Sequence, residues 1–416
     1  MVPNGWSKHK FYEIVRDTQL GTTERHKGDI CNNQIPLLKM GNLTWGGFNL
    51  NTVEQLPREK FDSTLLLKKG DFLFNTRNTP ELVGKSAVWN DELPEAIFDN
   101  NINRISFKNG IDPFYMAAYL NNGRGKAIIN SLPAGSTSVA AIYWKDLKNI
   151  HITIPPLPEQ QKIAKILSTW DKAIATTEKL IATSQQQKKA LMQQLLTGKK
   201  RLVNSDIGMM FSGDWEHGFL GDLCSFKGGS TFKEIYQGQT KGDYPFIKVS
   251  DMSLPNNGKF IVEANNWLSS KLTKEIKVKV FEEGAVVFAK VGAALLLNRR
   301  RILVQPTIID NNMMAATPKK KCHTEFLYQL MLMIDFAKLV QDGAVPSINQ
   351  SDLGCFKITY PTLIEQQKIA SVLTAADKEI ELLQVKLAHL KDEKKALMQQ
   401  LLTGKRRVKV EEVEVA

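Results

Sequence analysis

EQQKIAKILSTWDKAIATTEKLIATSQQQKKALMQQLLTGKKR, Glu159 to Arg201, decides how this chain is read, because it occurs twice. EQQKIA returns at Glu365, and KKALMQQLLTGK, which begins at Lys188, returns at Lys394, both at an offset of 206 residues. The copies align without a gap, and 24 of the 44 positions from Glu159 to Leu202 are identical in the second copy. Prolines precede each copy: Pro155, Pro156 and Pro158 before the first, Pro361 before the second. Proline and an acid in the first turn mark a helix start. Gly198 followed by Lys199, Lys200 and Arg201 marks an end, since glycine accepts the left-handed C′ conformation and cations suit the negative end of the helix dipole. Nothing breaks the helix between these signals. The 39 residues from Glu159 to Thr197 would span about 58 Å at about 1.5 Å per residue.

Alternating steps of four and three from Ile369 land on Leu373, Ala376, Ile380, Leu383, Leu387, Leu390, Lys394, Leu397 and Leu401, apolar in all but Lys394. The same steps from Ile163 pass Leu167, Trp170, Ile174, Thr177, Ile181, Ser184, Lys188, Leu191 and Leu195, a weaker seam with its lysine at the matching place. This is the a/d spacing of a coiled coil. Two matched seams in one chain are expected to meet; the competing reading packs each helix on its own module. An antiparallel pair is favoured, because the first helix must deliver the chain to a second module and the second helix must return. Such a pair places the modules at opposite ends, about an approximate two-fold axis.

At 416 residues the chain exceeds what one core usually holds. The repeat divides it into a first module (1–155), a helix (156–203), a second module (204–361), a second helix (362–408) and a tail (409–416). The first module reads as β-rich, with short apolar runs such as IPLLKM (Ile35–Met40) and GDFLFNT (Gly70–Thr76) between turn residues. A helix is expected at Phe114–Leu120. NNGRGKAIIN (Asn121–Asn130) reads as a glycine-bearing basic loop, suited to a phosphate backbone or simply polar. The second module echoes the first: Trp215 answers Trp6, Pro245 answers Pro36, and PFIKVSDM sets Lys248 opposite Lys39. GAVVFAK (Gly284–Lys290) answers GDFLFNT, DNN at Asp310 answers DNN at Asp99, and a helix over Phe326–Val340 answers the one at Phe114. The expected class is α+β, two modules of mixed strands and helices joined by an antiparallel coiled coil, with a pseudo-two-fold internal repeat.

A composition of 43% hydrophobic and 24% charged residues is that of a folded chain. The net charge of +12 favours a polyanionic partner, nucleic acid or an anionic surface. The amino terminus, MVPNGWSKHKF, lacks the apolar run of a signal peptide, and no stretch reaches the roughly 18 apolar residues of a membrane span. A cytoplasmic protein with no membrane partner is expected. Cys31, Cys224, Cys322 and Cys355 form no CxxC pair, so they read as buried reduced thiols and no metal is expected. VGKSA at Val83 fails as a P-loop, because the first glycine of that motif would fall at Thr79. The chain has no G-x-G-x-x-G, His-Glu-x-x-His or G-x-S-x-G motif, and no Asn/Asp-Pro-Pro-aromatic tetrapeptide; no catalytic residue is assigned.

The proline break before EQQKIA, the repeated KKALMQQLLTGK and two dissimilar modules before matched helices resemble the specificity subunit of a type I restriction-modification system. Phrases such as GDFLFNTRNTPELVGKSAVW (Gly70–Trp89) and GAVVFAKVGAALLLNRRRIL (Gly284–Leu303) are similar to target-recognition domains of that family. The resemblance spans essentially the whole chain. It implies a non-catalytic subunit whose two target-recognition domains each read half of a bipartite, asymmetric site on double-stranded DNA. The helices would set the separation of the halves and dock two methyltransferase subunits. S-adenosylmethionine would bind there, and ATP and Mg in restriction and motor subunits; no cofactor is expected in this chain.

Since most DNA contacts go to phosphate, and Arg and Lys also read guanine, basic loop residues are the candidates. They are Lys39, Arg77 and Lys85 in the first module and Lys248, Lys290, Arg299, Arg300 and Arg301 in the second, Arg77 foremost. Each competes with the reading of a solvated surface charge. For helix pairing and subunit docking the candidates are Glu159, Gln160, Gln161, Lys188, Leu191 and Leu195, with Glu365, Gln366, Gln367, Lys394, Leu397 and Leu401. The identical ends are expected to touch a shared partner and the divergent middles only each other, unless exchange copied the helix alone. The seam lysines would either fix register or face the partner. The alternative function is a coiled-coil scaffold tethering two ligands other than DNA; a third, catalysis by the chain itself, is not expected.

Overall fold

The computed structural model describes residues 2–25, 33–135, 139–204, 208–231, 233–340 and 345–410. The chain divides into two compact units, Met1–Glu178 with Val385–Ala416 and Lys179–Gln384. The division falls inside both long helices. Each unit therefore unites one globular module with the first half of one helix and the last half of the other.

The long helices run Leu157–Leu195 and Leu363–Leu401, 39 residues each. The first begins and ends two residues before the expected bounds. Pro158 is tolerated in the first turn, where its missing N–H has no intrahelical partner to lose, and the Glu159 amide already closes on the Pro156 carbonyl at 2.9 Å. Gly198 and Gly404 take φ of +69° and +68°. Past them, the amides of Lys200 and Arg406 turn back to the carbonyls of Gln194 and Gln400 at 3.1 and 3.2 Å. The two stop signals are thus built alike.

In the first unit an antiparallel sheet runs in the order Val15–Leu20, Ile102–Phe107, Phe72–Asn75, Ser86–Val88. Phe72–Asn75 is buried throughout because both of its faces are covered. By the two-residue period of a strand, Phe72 and Phe74 enter the core that also receives Ile163, Leu167, Leu401 and Leu402 of the helices, while Leu73 enters a second core. A second sheet orders Glu54–Pro57, Gln34–Leu38 and Ile97–Phe98, the last pair parallel. The second unit repeats the plan. Val286 and Phe288 of strand Val286–Ala289 join the core that holds Leu195, Ile369 and Leu373, and Val287 faces a separate core. Its parallel pair is Tyr244–Ile247 with Thr307–Ile309.

The echo around DNN is structural. Thr22 bridges Asp99 and Ser230 bridges Asp310, each in parallel. The preceding glycines leave no room for a side chain: a Cβ on Gly21 would lie 2.1 Å from the Phe98 carbonyl oxygen, and one on Gly229 would lie 2.0 Å from that of Asp310.

Several local expectations change. NNGRGKAIIN is not a loop: Gly123–Asn130 is a helix packed on the helix Pro113–Leu120. A Cβ on Gly125 would sit 2.1 Å from the Tyr119 carbonyl oxygen, so this glycine serves a close helix crossing rather than a phosphate. The helix expected over Phe326–Val340 is Thr324–Met333, followed by a 3-10 turn at Phe336–Lys338. It stops because Ile334 is extended, its carbonyl accepting from Arg300, and Asp335 caps the following turn through the Ala337 amide at 3.1 Å. Cys224 and Cys322 are buried, and burial pushes the Cys322 thiol up to about 12. Cys355, expected buried, is exposed, and Cys31 lies outside the described residues. No helix among the described residues is long and apolar enough to cross a membrane.

Candidate functional site

The identical helix ends are mostly turned inward. Gln160 is 1% exposed: its side-chain oxygen accepts the Asp112 amide at 2.8 Å and its nitrogen donates to the carbonyls of Gly110 and Pro155 at 3.0 and 2.9 Å. Gln366 does the same in the second unit, accepting from the His323 amide at 3.0 Å and donating to Lys321 and Pro361 at 3.1 and 3.0 Å. Each glutamine locks a helix start to the turn that opens its own module's helix. The buried carboxylate of Glu159 receives both arms of Arg407 at 2.7 Å, and that of Glu365 receives Arg201 at 2.6 and 2.7 Å. Such forked, charge-assisted pairs are short and directional. The start of one helix is thereby clasped to the residues just past the end of the other, once in each unit.

The seam lysines belong to the same device. Lys188 reaches Asp377 at 2.5 Å in the second unit, and Lys394 reaches Asp171 at 2.5 Å in the first. Lys391 adds Glu178 at 2.7 Å. Partners descend one helix as they climb the other, so within each unit the halves run antiparallel. No seam residue from Ile163 to Leu195 or from Ile369 to Leu401 is exposed. Of the two roles expected for Lys188 and Lys394, the geometry supplies register. The expectation that the identical ends face a partner is corrected for Glu159, Gln160, Glu365 and Gln366, which are buried inside the chain, while Leu195 and Leu401 are buried as seam positions are expected to be. Leu191 and Leu397 are half-buried, and Gln161 and Gln367 are exposed.

The basic candidates separate in the same way. Arg77 is exposed on strand Arg77–Asn78. Lys85 is half-buried, and burial holds its ammonium below the ordinary lysine value. Lys39 pairs with Glu54. Lys248 stands in the same relation to its module: the Lys39 amide donates to Asn42 at 2.9 Å and the Lys248 amide to Asp251 at 2.7 Å. Lys290 is half-buried, and Arg299 is exposed with a hydrogen bond to Ser253.

Arg300 leaves the set of DNA candidates. It is 1% exposed, lies 3.7 Å above the Phe336 ring centroid and donates to the Ile334 carbonyl at 2.5 Å. Burial brings its guanidinium down to about 10. Arg301 is spent on the carbonyls of Asn257, Arg300 and Met252 at 2.6, 2.8 and 3.1 Å.

A further matched cluster forms where the parallel strands end. Asp99 and Asp310 are 1% and 7% exposed, and burial raises both carboxyls above the ordinary range. Asp99 accepts the Asn101 amide at 3.0 Å and Asp310 the Asn312 amide at 2.8 Å. Arg25 closes the first cluster, donating to Asp99 at 3.3 Å and to Asn100 at 3.0 Å. The roles of Arg25, Asp171, Asp377, Arg201 and Arg407 escaped the sequence reading. The last four carried a signal, since both aspartates and both arginines recur at the 206-residue offset. Among the described residues no group of three His, Cys, Asp or Glu side chains could hold a metal ion.

Comparison with known proteins places these features. The family model for the type I restriction modification DNA specificity domain matches residues 20–184 and again 212–392. A putative type I restriction enzyme MjaX specificity subunit of Methanocaldococcus jannaschii is 28% identical over 98% of this chain and 95% of its own length. The EcoR124I/EcoR124II specificity subunit of Escherichia coli is 25% identical over 59% of this chain and 62% of its own. The crystal structure of the S subunit of a type I system from M. genitalium superposes with a TM-score of 0.58 at 15% identity, covering 96% of this chain and 99% of that one. A chain solved in work on complex assembly and conformational transition of the type I R-M system also gives 0.58, at 16% identity and 98% and 100% coverage.

Proposed function

Because the chain belongs to the type I restriction-modification DNA specificity family, we propose that each module reads one half of a bipartite, asymmetric DNA site. On this reading the long helices set the spacing of the halves and carry two copies of a methyltransferase subunit. One observation carries the proposal. Packing accounts for the identity of the inward residues, but Gln161, Lys189, Gln193 and Gln194 are exposed and are still identical to the exposed Gln367, Lys395, Gln399 and Gln400. Two identical outward faces beside dissimilar modules suit two copies of one partner and two different DNA sequences.

A net charge of +12 supplies the sequence-independent attraction to duplex DNA. The exposed Arg77 and Arg299 are the foremost contacts, with Lys39, Lys85, Lys248 and Lys290 beside them. Chemistry falls to the partners: S-adenosylmethionine and the flipped adenine in the methyltransferase subunits, ATP and Mg in restriction and motor subunits. The chain itself recognises without catalysing, and the complex works in the cytoplasm.

Methylome sequencing of a host carrying this chain and its methyltransferase subunit tests the reading. The expected result is a bipartite adenine motif. Exchange of residues 204–361 for another module should change one half, and Arg77→Ala should lower occupancy through the other half. The absence of a bipartite motif, or one indifferent to the exchange, would overturn the reading in favour of a scaffold for two other ligands. DNA modification by the isolated chain with S-adenosylmethionine would contradict the division of labour.

A further inference from the structure

The two Asp–Lys clasps are identical, but their surroundings are not. In the second unit the module closes over the clasp. Asp377 gives one oxygen to Lys188 and receives Gln329 on the other at 2.8 Å. Lys259 stands beside that second oxygen at 3.9 Å, held by Glu325 at 2.6 Å and lying 5.4 Å from the Tyr328 ring centroid. Asp377 is 28% exposed in consequence.

Among the described residues the first unit has no such cover. Its module helix is anchored at the same point, through Asp112 to Gln160 as His323 is to Gln366. Counting from that anchor, Ala117 stands where Tyr328 stands and Ala118 where Gln329 stands. Where those side chains and Lys259 fill the second unit, the first has a cavity of about 390 Å³ lined by Trp45, Ala117, Ala118, Asp171 and Met398 among others. Asp171 is 60% exposed, and among the described residues only its Oδ1 is engaged, by Lys394. The cavity's charged lining is Asp171 and Glu92 with Lys172 and Lys394. Lys394 is spent on Asp171 Oδ1 and Glu92 Oε2 accepts the Asn90 amide at 2.7 Å, so among the described residues Asp171 Oδ2 and Glu92 Oε1 are the acceptors left above an apolar floor. The Trp45 ring is already covered by Lys126, whose ammonium lies 3.8 Å from its centroid.

We propose that this cavity receives a lysine or arginine side chain of the docked methyltransferase subunit, its stem against Ala117 and Ala118 and its charge on Asp171. The chemistry of the occupant is read from the second unit, where the chain's own Lys259 fills the corresponding place. The proposal rests on the reading above that methyltransferase subunits dock on the helix pair. It adds that the two docking positions are unequal: one is open to a partner's cation and one is already occupied.

The test is a calorimetric and native-mass titration of the full chain with the type I methyltransferase subunit of the same host. Wild type should take two copies in steps of different affinity. Asp171→Asn, which keeps an acceptor for Lys394 but removes the charge, should weaken one step by at least about tenfold. Ala118→Gln, which supplies the missing counterpart of Gln329 and removes nothing, should weaken the same step. Asp377→Asn should leave both steps unchanged. If wild type binds two copies and the two first-unit variants titrate like it, the cavity is not a docking site. If wild type binds none, the docking reading beneath the proposal falls instead.

Discussion

The two units share a plan and hold their helix halves with the same residues, but differ in the side chains laid against the Asp–Lys clasp. Glu159–Arg407 and Lys394–Asp171 in the first unit are matched by Glu365–Arg201 and Lys188–Asp377 in the second. Gln160 and Gln366 make the same three hydrogen bonds. Beyond these, Tyr328, Gln329 and Lys259 crowd the second clasp, while Ala117 and Ala118 leave the first one open. The contrast separates two kinds of constraint. A residue identical and held by contacts inside the chain, as Glu159, Gln160 and even the exposed Arg407 are, is explained by seating a helix on its module. The exposed Gln161 and Gln367, identical without such contacts among the described residues, are the ones the proposed docking would explain.

The clasps give the largest expected effect. Arg201→Ala strands the Glu365 carboxylate, which is 2% exposed at the side chain, and should cost about 3 kcal/mol in urea unfolding. Arg407→Ala should cost less, because Arg407 is 43% exposed and its pairing is partly screened. Hydrogen exchange should rise near residues 363–373 for the first variant and near 157–167 for the second. Equal losses, or exchange that rises in the wrong unit, would break the correspondence.

A smaller effect concerns what the modules share. Asp99 and Asp310 have carboxyls raised by burial, so in the window from the ordinary aspartate range up to the raised values the folded state holds more protons than the unfolded one. Stability contributed by these groups is therefore fully present below the ordinary range and is lost as pH rises through the raised values. Asp99→Asn and Asp310→Asn should each remove one such downward slope from the stability–pH curve. A curve unchanged by both substitutions would deny the two clusters their common character.

The architecture was legible because the repeat carries its own punctuation. Proline, EQQKIA, the four-three seam and a terminal glycine each have a local physical meaning, and both helices kept the expected length. Strands such as Phe72–Asn75 were legible because double burial leaves a short apolar run, Phe72 to Phe74, between turn residues. The site was read less well. Arg300 looked like a surface cation because its charge is plain in sequence, whereas its partners, the Ile334 carbonyl and the Phe336 ring, come from more than 30 residues away. The same holds for NNGRGKAIIN, where glycines that suggest a loop serve a close helix crossing. Glu159 and Gln160 show why identity alone misleads: both are conserved between the copies for contacts inside the chain.

The central claim is that the paired helices fix the distance between two independent readers. It is tested most directly by inserting seven residues of helical sequence between Glu178 and Lys179 and again between Gln384 and Val385, the points where both helices pass from one unit to the other. Seven residues keep the seam in phase, and both clasps remain intact in their own units. Methylome sequencing should then return the same two half-sites separated by a longer spacer. Unchanged spacing with full methylation would contradict the claim.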